Sequence, residues 1–144
     1  MRIDGEWYEC DDGVVRPVIR GEVMDAGGAW VAAEFLVDSG ADRTVFSAAL
    51  LSILRLQTAV PADRLGGVGG TVDSVAVSTQ IRLTRDGQGK VLFRGEFAAV
   101  TALEALDMSV LGRDITDMFA VVVDHPGNAV CLVSQPHRYE ITQG

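Results

Sequence analysis

The sequence places Asp38 directly after an apolar run at residues 35–37 and directly before Ser39 and Gly40. An acidic side chain at this point is expected at the edge of the core, where partial desolvation tunes its exchange of protons. Gly40 would let the backbone come close to the carboxylate, and the Ser39 hydroxyl can bond to neighbouring backbone groups. Such a carboxylate is a candidate for acid–base chemistry. The same tripeptide also occurs in ordinary surface turns, so the motif alone leaves both interpretations open.

Two other segments carry residue types that suit a binding site. Residues 66–70, Gly-Gly-Val-Gly-Gly, hold four glycines in five positions. Such backbone freedom suits a flap that opens to admit a ligand and closes over it, although a hairpin turn without any ligand would have the same composition. Residues 110–114, Val-Leu-Gly-Arg-Asp, have the pattern of a buried strand that ends in a polar turn. A helix entry with a solvated arginine would fit this segment equally well.

Short strands joined by tight turns are predicted to position these segments. Residues 16–24 and 30–37 predict a β-hairpin, because the Asp-Ala-Gly-Gly turn at residues 25–28 favours positive φ. The second strand of this hairpin leads directly to the candidate carboxylate. Residues 47–56 predict a short helix or helical turn, with Ser47 as its N-cap.

The rest of the chain continues the pattern of strands and turns. Residues 71–83 alternate apolar and polar side chains as a half-buried strand does, and residues 90–100 predict its partner after a turn at residues 85–89. The last third predicts three more elements, namely helical turns at residues 115–119 and strands at residues 120–123 and 129–133. The predicted fold class is therefore all-β with one or two short helices, in a single domain spanning residues 1–144.

The composition excludes several classes of protein. The chain has 144 residues, 48% of them hydrophobic and 22% charged, which is typical of one globular domain. No apolar run approaches the roughly 20 residues of a membrane span, and the formal net charge of -8 argues against nucleic acid as a partner. The first residues lack the apolar stretch of a secretory signal. Two cysteines, Cys10 and Cys131, make no disulfide framework, so a cytoplasmic location is predicted.

Taken together and in this order, the three motifs resemble those of the retropepsins and retropepsin-like aspartic peptidases. Residues 36–42, Leu-Val-Asp-Ser-Gly-Ala-Asp, resemble the family's active-site signature, and residues 66–71 resemble its flap tip. Residues 110–114 resemble its second signature, in which apolar residues precede Gly-Arg-Asp. The resemblance covers about residues 14–133 and implies a closed β-barrel of the acid protease type, with short extensions at both ends.

The resemblance also implies a role for each matching residue. The implied site consists of the catalytic group Asp38, Ser39 and Gly40, the substrate-binding residues Ala41, Asp42, Gly67, Val68 and Gly69, and the supporting residues Gly112 and Arg113. Asp42 and Arg113 are further predicted to form a buried ion pair that ties the active-site turn to the last helix.

The activity that the resemblance implies is that of an aspartic endopeptidase without a metal or a cofactor. Its chemistry requires two carboxylates that share one proton, whereas this chain has the Asp-Ser-Gly signature once. A homodimer would supply one Asp38 from each chain. An extended peptide or protein substrate would bind beneath the flap as an added strand, with apolar side chains on either side of the cut bond.

Two other functions remain open on the sequence alone. A retropepsin-like dimerisation or peptide-binding module that does not cleave would have the same fold, because a fold does not guarantee an activity. A plain structural β-domain would require the three motifs to coincide by chance.

Overall fold

The structure is a computed structural model that describes residues 1–61, 65–67, 70–136 and 142–143. Within these residues the chain forms twelve β-strands: β1 (Arg2–Asp4), β2 (Glu6–Glu9), β3 (Val15–Met24), β4 (Trp30–Val37), β5 (Val45–Phe46), β6 (Leu65–Gly67), β7 (Gly70–Val72), β8 (Ser74–Thr84), β9 (Lys90–Val100), β10 (Ser109–Leu111), β11 (Phe119–Asp124) and β12 (Ala129–Ser134). Its α-helices are α1 (Ala48–Leu54) and α2 (Arg113–Thr116). No helix in the described ranges is long and apolar enough to cross a bilayer.

Six of the strands close into a barrel. Neighbouring strands follow the order β3-β4-β10-β5-β9-β8, and β8 pairs back onto β3. Two pairings in this ring are parallel, β10 with β4 and β5 with β9, whereas the others are antiparallel. Strand β2 pairs with β3 outside the ring. Closure removes the exposed sheet edges of these strands. The predicted closed all-β barrel with one or two short helices is confirmed, with two helices observed in the described residues.

Aromatic side chains from three strands pack inside the barrel. Phe46 on β5 lies between Phe35 on β4 and Phe97 on β9, with ring centroids 6.3 and 5.6 Å away. Val37 is buried like Phe35, whereas Leu36 between them is half-buried on the opposite face of β4. Burial of a side chain of this size contributes about 1.5–3 kcal/mol. Strand β4 is therefore anchored in the core up to its last residue.

Helix α1 is shorter than the predicted segment 47–56. Ser47 is its N-cap, as predicted, and the Ser47 Oγ accepts a hydrogen bond from the Leu50 N–H at 3.3 Å. The helix ends at Leu54, and its C-cap Arg55 has a φ of 55°, in the left-handed region. Leu54 in the last turn is fully buried, so the end of α1 packs against the core.

Two other predicted elements differ from the observed ones. The strand predicted at residues 71–83 is divided, because β7 ends at Val72 and β8 begins at Ser74. Strand β7 pairs with β6 rather than continuing the barrel, which makes β6 and β7 a separate hairpin. The helical turns predicted at residues 115–119 begin earlier, because α2 starts at Arg113 directly after its N-cap Gly112.

A second sheet is formed by strands from both ends of the chain, in the order β1-β12-β11. Strands β1, β2 and β5 were not predicted from the sequence. Strand β1 has a single buried side chain, Ile3, and β5 has only two residues, Val45 and Phe46. Segments this short carry no periodic pattern, and their partners lie far away in the sequence.

Candidate active site

Asp38 lies immediately after β4, where the strand leaves the core. Its side chain is half-buried. The Asp38 backbone N–H donates to the carbonyl of Leu111, the last residue of β10, at 3.3 Å. The chain then turns, because the Ala41 N–H donates to the Asp38 carbonyl at 3.2 Å. The Gly40 N–H donates to Asp38 Oδ1 at 2.9 Å, so a backbone amide orients the carboxylate. Ser39 between them is exposed.

The parallel pairing of β4 with β10 explains why two distant motifs meet here. Leu36 pairs with Val110 in register, and Val37 pairs with Leu111. Parallel strands end at the same edge of the sheet. The Asp-Ser-Gly turn and the Gly-Arg-Asp segment therefore leave the sheet side by side.

Gly112 lies in close contact with the backbone of the active-site loop, residues 38–44. A Cβ atom at Gly112 would lie 2.2 Å from the carbonyl carbon and oxygen of Arg43 and 2.7 Å from the nitrogen of Thr44. The φ of Gly112 is -97°, which any residue adopts. Space, rather than backbone freedom, therefore requires glycine at this position.

Thr44 connects the active-site loop to the Gly-Arg-Asp segment through three hydrogen bonds. Its N–H and its Oγ1 hydroxyl both donate to Asp114 Oδ1, at 2.9 and 2.7 Å, and Oγ1 accepts from the Gly112 N–H at 3.1 Å. Thr44 is fully buried. A further bond, from the Arg113 N–H to the Ala41 carbonyl at 2.9 Å, joins the same two segments. The sequence analysis missed Thr44 and Asp114 as supporting residues, because only the fold brings them together.

The predicted pair of Asp42 and Arg113 is present but is not buried. The Arg113 guanidinium donates to Asp42 Oδ1. The Arg113 side chain is 48% exposed and the Asp42 side chain is 79% exposed. The prediction of a buried pair is therefore wrong for the single chain. An ion pair this exposed contributes at most about 1 kcal/mol to stability, because water screens the two charges.

The predicted flap is a hairpin formed by β6 and β7, in which Gly67 pairs with Gly70. Val68 and Gly69, which were predicted to form its tip together with Gly67, lie outside the described residues. At the base of the hairpin, Leu65 packs against a buried cluster contributed by β5 and β9. The hairpin is thus anchored on the barrel by its first residue.

The single chain carries one of the two carboxylates that the implied reaction requires. A carboxylate oriented by a backbone amide can accept a proton from water, yet the chain holds one Asp-Ser-Gly turn. Across the described ranges, no group of three or more His, Cys, Asp or Glu side chains is arranged to hold a metal ion.

Comparisons with known proteins define the fold around this site. No protein-family model matches the sequence, and no curated protein matches it. The EIAV protease complexed with the inhibitor HBY-793 is 23% identical with a TM-score of 0.53, over 71% of this chain and 86% of that chain. A retropepsin-like aspartic protease from Rickettsia conorii is 16% identical with a TM-score of 0.55, over 92% and 88% of the two chains.

At these identities the similarity establishes the fold. This chain has the fold of the retropepsin-like aspartic proteases over most of its length. The resemblance that the three sequence motifs predicted is confirmed at that level.

Proposed function

We propose that the protein is an aspartic endopeptidase that acts as a homodimer. The observation that carries this proposal is the position of Asp38 in a retropepsin-type barrel. It follows β4 directly, its carboxylate accepts a hydrogen bond from Gly40, and its loop is fastened to the Gly-Arg-Asp segment through the buried Thr44.

Homodimerisation follows from the chemistry. Peptide hydrolysis of this type needs two neighbouring carboxylates, one of them protonated, because two like charges a few ångströms apart cannot both ionise. A two-fold axis beside Asp38 would bring the same residue of a second chain to that position. One carboxylate then takes a proton from water, which attacks the scissile carbonyl, and the protonated partner stabilises the developing oxyanion.

An exposed apolar strand supports association with a second copy. Among the residues that the structure describes, β11 is the outer strand of its sheet, and the side chains of Val121, Val122 and Val123 are 37%, 37% and 47% exposed. An apolar strand at a sheet edge is prone to pair with another chain, and an antiparallel pair of identical strands is compatible with two-fold symmetry. We infer that β11 contributes to the dimer contact.

The substrate of such a dimer would be an extended peptide or protein segment held between the flaps and the active-site floor. Gly67, Val68 and Gly69 would cover it, and Ala41 and Asp42 would contact its backbone. We place the protein in the cytoplasm, because Cys10 and Cys131 are unpaired and free thiols suit a reducing compartment.

The proposal is tested by cleavage of casein, an unstructured protein, between about pH 4 and pH 7. We expect a bell-shaped dependence of the rate on pH, because the dyad is active with one of its two protons bound. We also expect the rate per chain to fall on dilution, in parallel with the dissociation of dimers measured by light scattering. A confirmed dimer that cleaves nothing across this range would instead support the non-cleaving peptide-binding module.

A further inference from the structure

A cavity of about 630 Å³ lies next to the candidate active site. Its apolar wall includes Leu36, Leu106, Met108 and Val110. Leu36 precedes Asp38 by two residues, and side chains two residues apart along an extended chain point to the same side. Val110 adjoins Leu36 in the parallel pairing of β10 with β4. Leu36 and Val110 therefore bring the wall of the cavity within two residues of Asp38 and of Gly112 along their strands.

The charged lining of the cavity is strongly acidic. It contains five carboxylates and a single cation, Arg16. Arg16 is already neutralised, since its guanidinium donates two hydrogen bonds to the Asp12 carboxylate, at 2.9 and 2.8 Å. These hydrogen bonds lower the pKa of Asp12 to about 2, so Asp12 stays ionised at neutral pH. Glu34 is likewise paired, with Arg20 at 2.6 Å.

The other three carboxylates, Asp11, Glu104 and Asp107, have no ion-pair partner among the residues that the structure describes. They also form no metal-binding group. Uncompensated negative charge around an apolar wall favours a ligand with a long aliphatic stem and a cationic end. Lysine and arginine side chains have this chemistry.

We propose that this cavity accepts a lysine or arginine side chain of the substrate, next to the bond that is cut. The inference rests on the proposed peptidase function and specifies its substrate class. The stem of the side chain would pack on Leu36, Met108 and Val110, while its charge would lie among the three unpaired carboxylates. This differs from the apolar preference that the sequence predicted. Asp11, Glu104 and Asp107 are exposed, and their negative charge attracts a cationic side-chain end, which a purely apolar side chain lacks.

The test uses a library of unstructured peptides randomised at the central positions. Cut sites are mapped by mass spectrometry. The cleavage rates of two peptides that differ only at the selected position are then compared, one with lysine there and one with methionine, which is also unbranched but carries no charge. We expect lysine or arginine to be enriched on one side of the cut. We also expect the lysine peptide to be cleaved about tenfold faster, the factor that corresponds to one hydrogen bond to a charged group.

A matched pair of double variants tests whether the carboxylates of the cavity cause the preference for lysine. Glu104→Gln/Asp107→Asn should remove most of the preference for lysine while the methionine peptide is still cleaved. The control Glu96→Gln/Asp117→Asn changes the net charge equally, at two exposed residues that do not line the cavity, and should keep the preference. Equal rates for the two peptides, or an equal loss in both variants, would overturn the inference.

Capture of the same library on immobilised Asp38→Asn protein distinguishes failure of this inference from failure of the proposed peptidase function. Enrichment of lysine or arginine peptides there, with no cleavage by the parent protein, would contradict the peptidase and leave the cavity assignment standing. Cleavage without enrichment of basic residues would contradict the cavity assignment alone. Absence of both cleavage and capture would contradict both.

Discussion

The Asp38→Asn variant should lose cleavage of casein by about 10³-fold, which is the scale of a lost general acid–base group. An amide has nearly the shape of a carboxylate but cannot take a proton from water. The fold should be unaffected, because the oxygen of the introduced amide can still accept the hydrogen bond from the Gly40 N–H that Asp38 Oδ1 accepts at 2.9 Å. Initial rates should be measured at equal dimer concentration, established by light scattering.

Asp117→Asn is a suitable control for this variant. Asp117 is exposed at the end of α2, and its change to Asn alters the same chemical group away from the candidate site. It should cleave at the rate of the parent protein. Undiminished cleavage by Asp38→Asn would mean that the activity belongs to another residue or to a contaminating enzyme.

The largest effect on stability is expected for Gly112→Ala. The added methyl group would lie 2.2 Å from the backbone of Arg43, and no flexible side chain is available to move aside. The backbone of the active-site loop would have to shift, at a cost of about 1–3 kcal/mol or more. The bonds from Thr44 to Asp114 and Gly112 would be strained by the same shift. Urea denaturation should therefore show a lower midpoint, and activity should fall because displacement of a reacting group by about 1 Å can cost 10²-fold in rate.

Gly95→Ala provides the matched control, since a Cβ atom at Gly95 on β9 would meet nothing within 4 Å. This substitution should change the free energy of unfolding by no more than about 0.5 kcal/mol. Equal denaturation midpoints for Gly112→Ala and the parent would show that the active-site loop does not need its close contact with Gly112.

The sequence predicted the long hairpins well. The strands at Trp30–Val37 and Lys90–Val100 begin and end where they were predicted, and a glycine-containing turn precedes each of them, at residues 25–28 and 85–89. The short strands β1 and β5 could not be predicted in this way. They exist because a partner strand elsewhere in the sequence completes their hydrogen bonds, as when residues 2–4 pair with residues 131–133.

The sequence predicted which motifs contribute to the candidate site, but it did not predict their surroundings. The pairing of Asp42 with Arg113 was predicted from the family resemblance, whereas the exposure of this pair was not. Burial depends on what the complete chain packs around a residue, and local sequence does not contain that information. The acidic cavity was missed for the same reason, since Asp11, Glu34 and Asp107 come from separate segments that only the barrel brings together.

Mixed dimers of parent and Asp38→Asn chains would test most directly whether two copies of Asp38 form one active site. The two chains, carrying different tags, would be unfolded and refolded together in varied ratios at constant total concentration. If each site needs Asp38 from both chains, cleavage should follow the square of the parent fraction, so that an equal mixture retains about one quarter of the activity. A linear decrease, with about half of the activity at an equal mixture, would mean that each chain acts alone and would contradict the shared site.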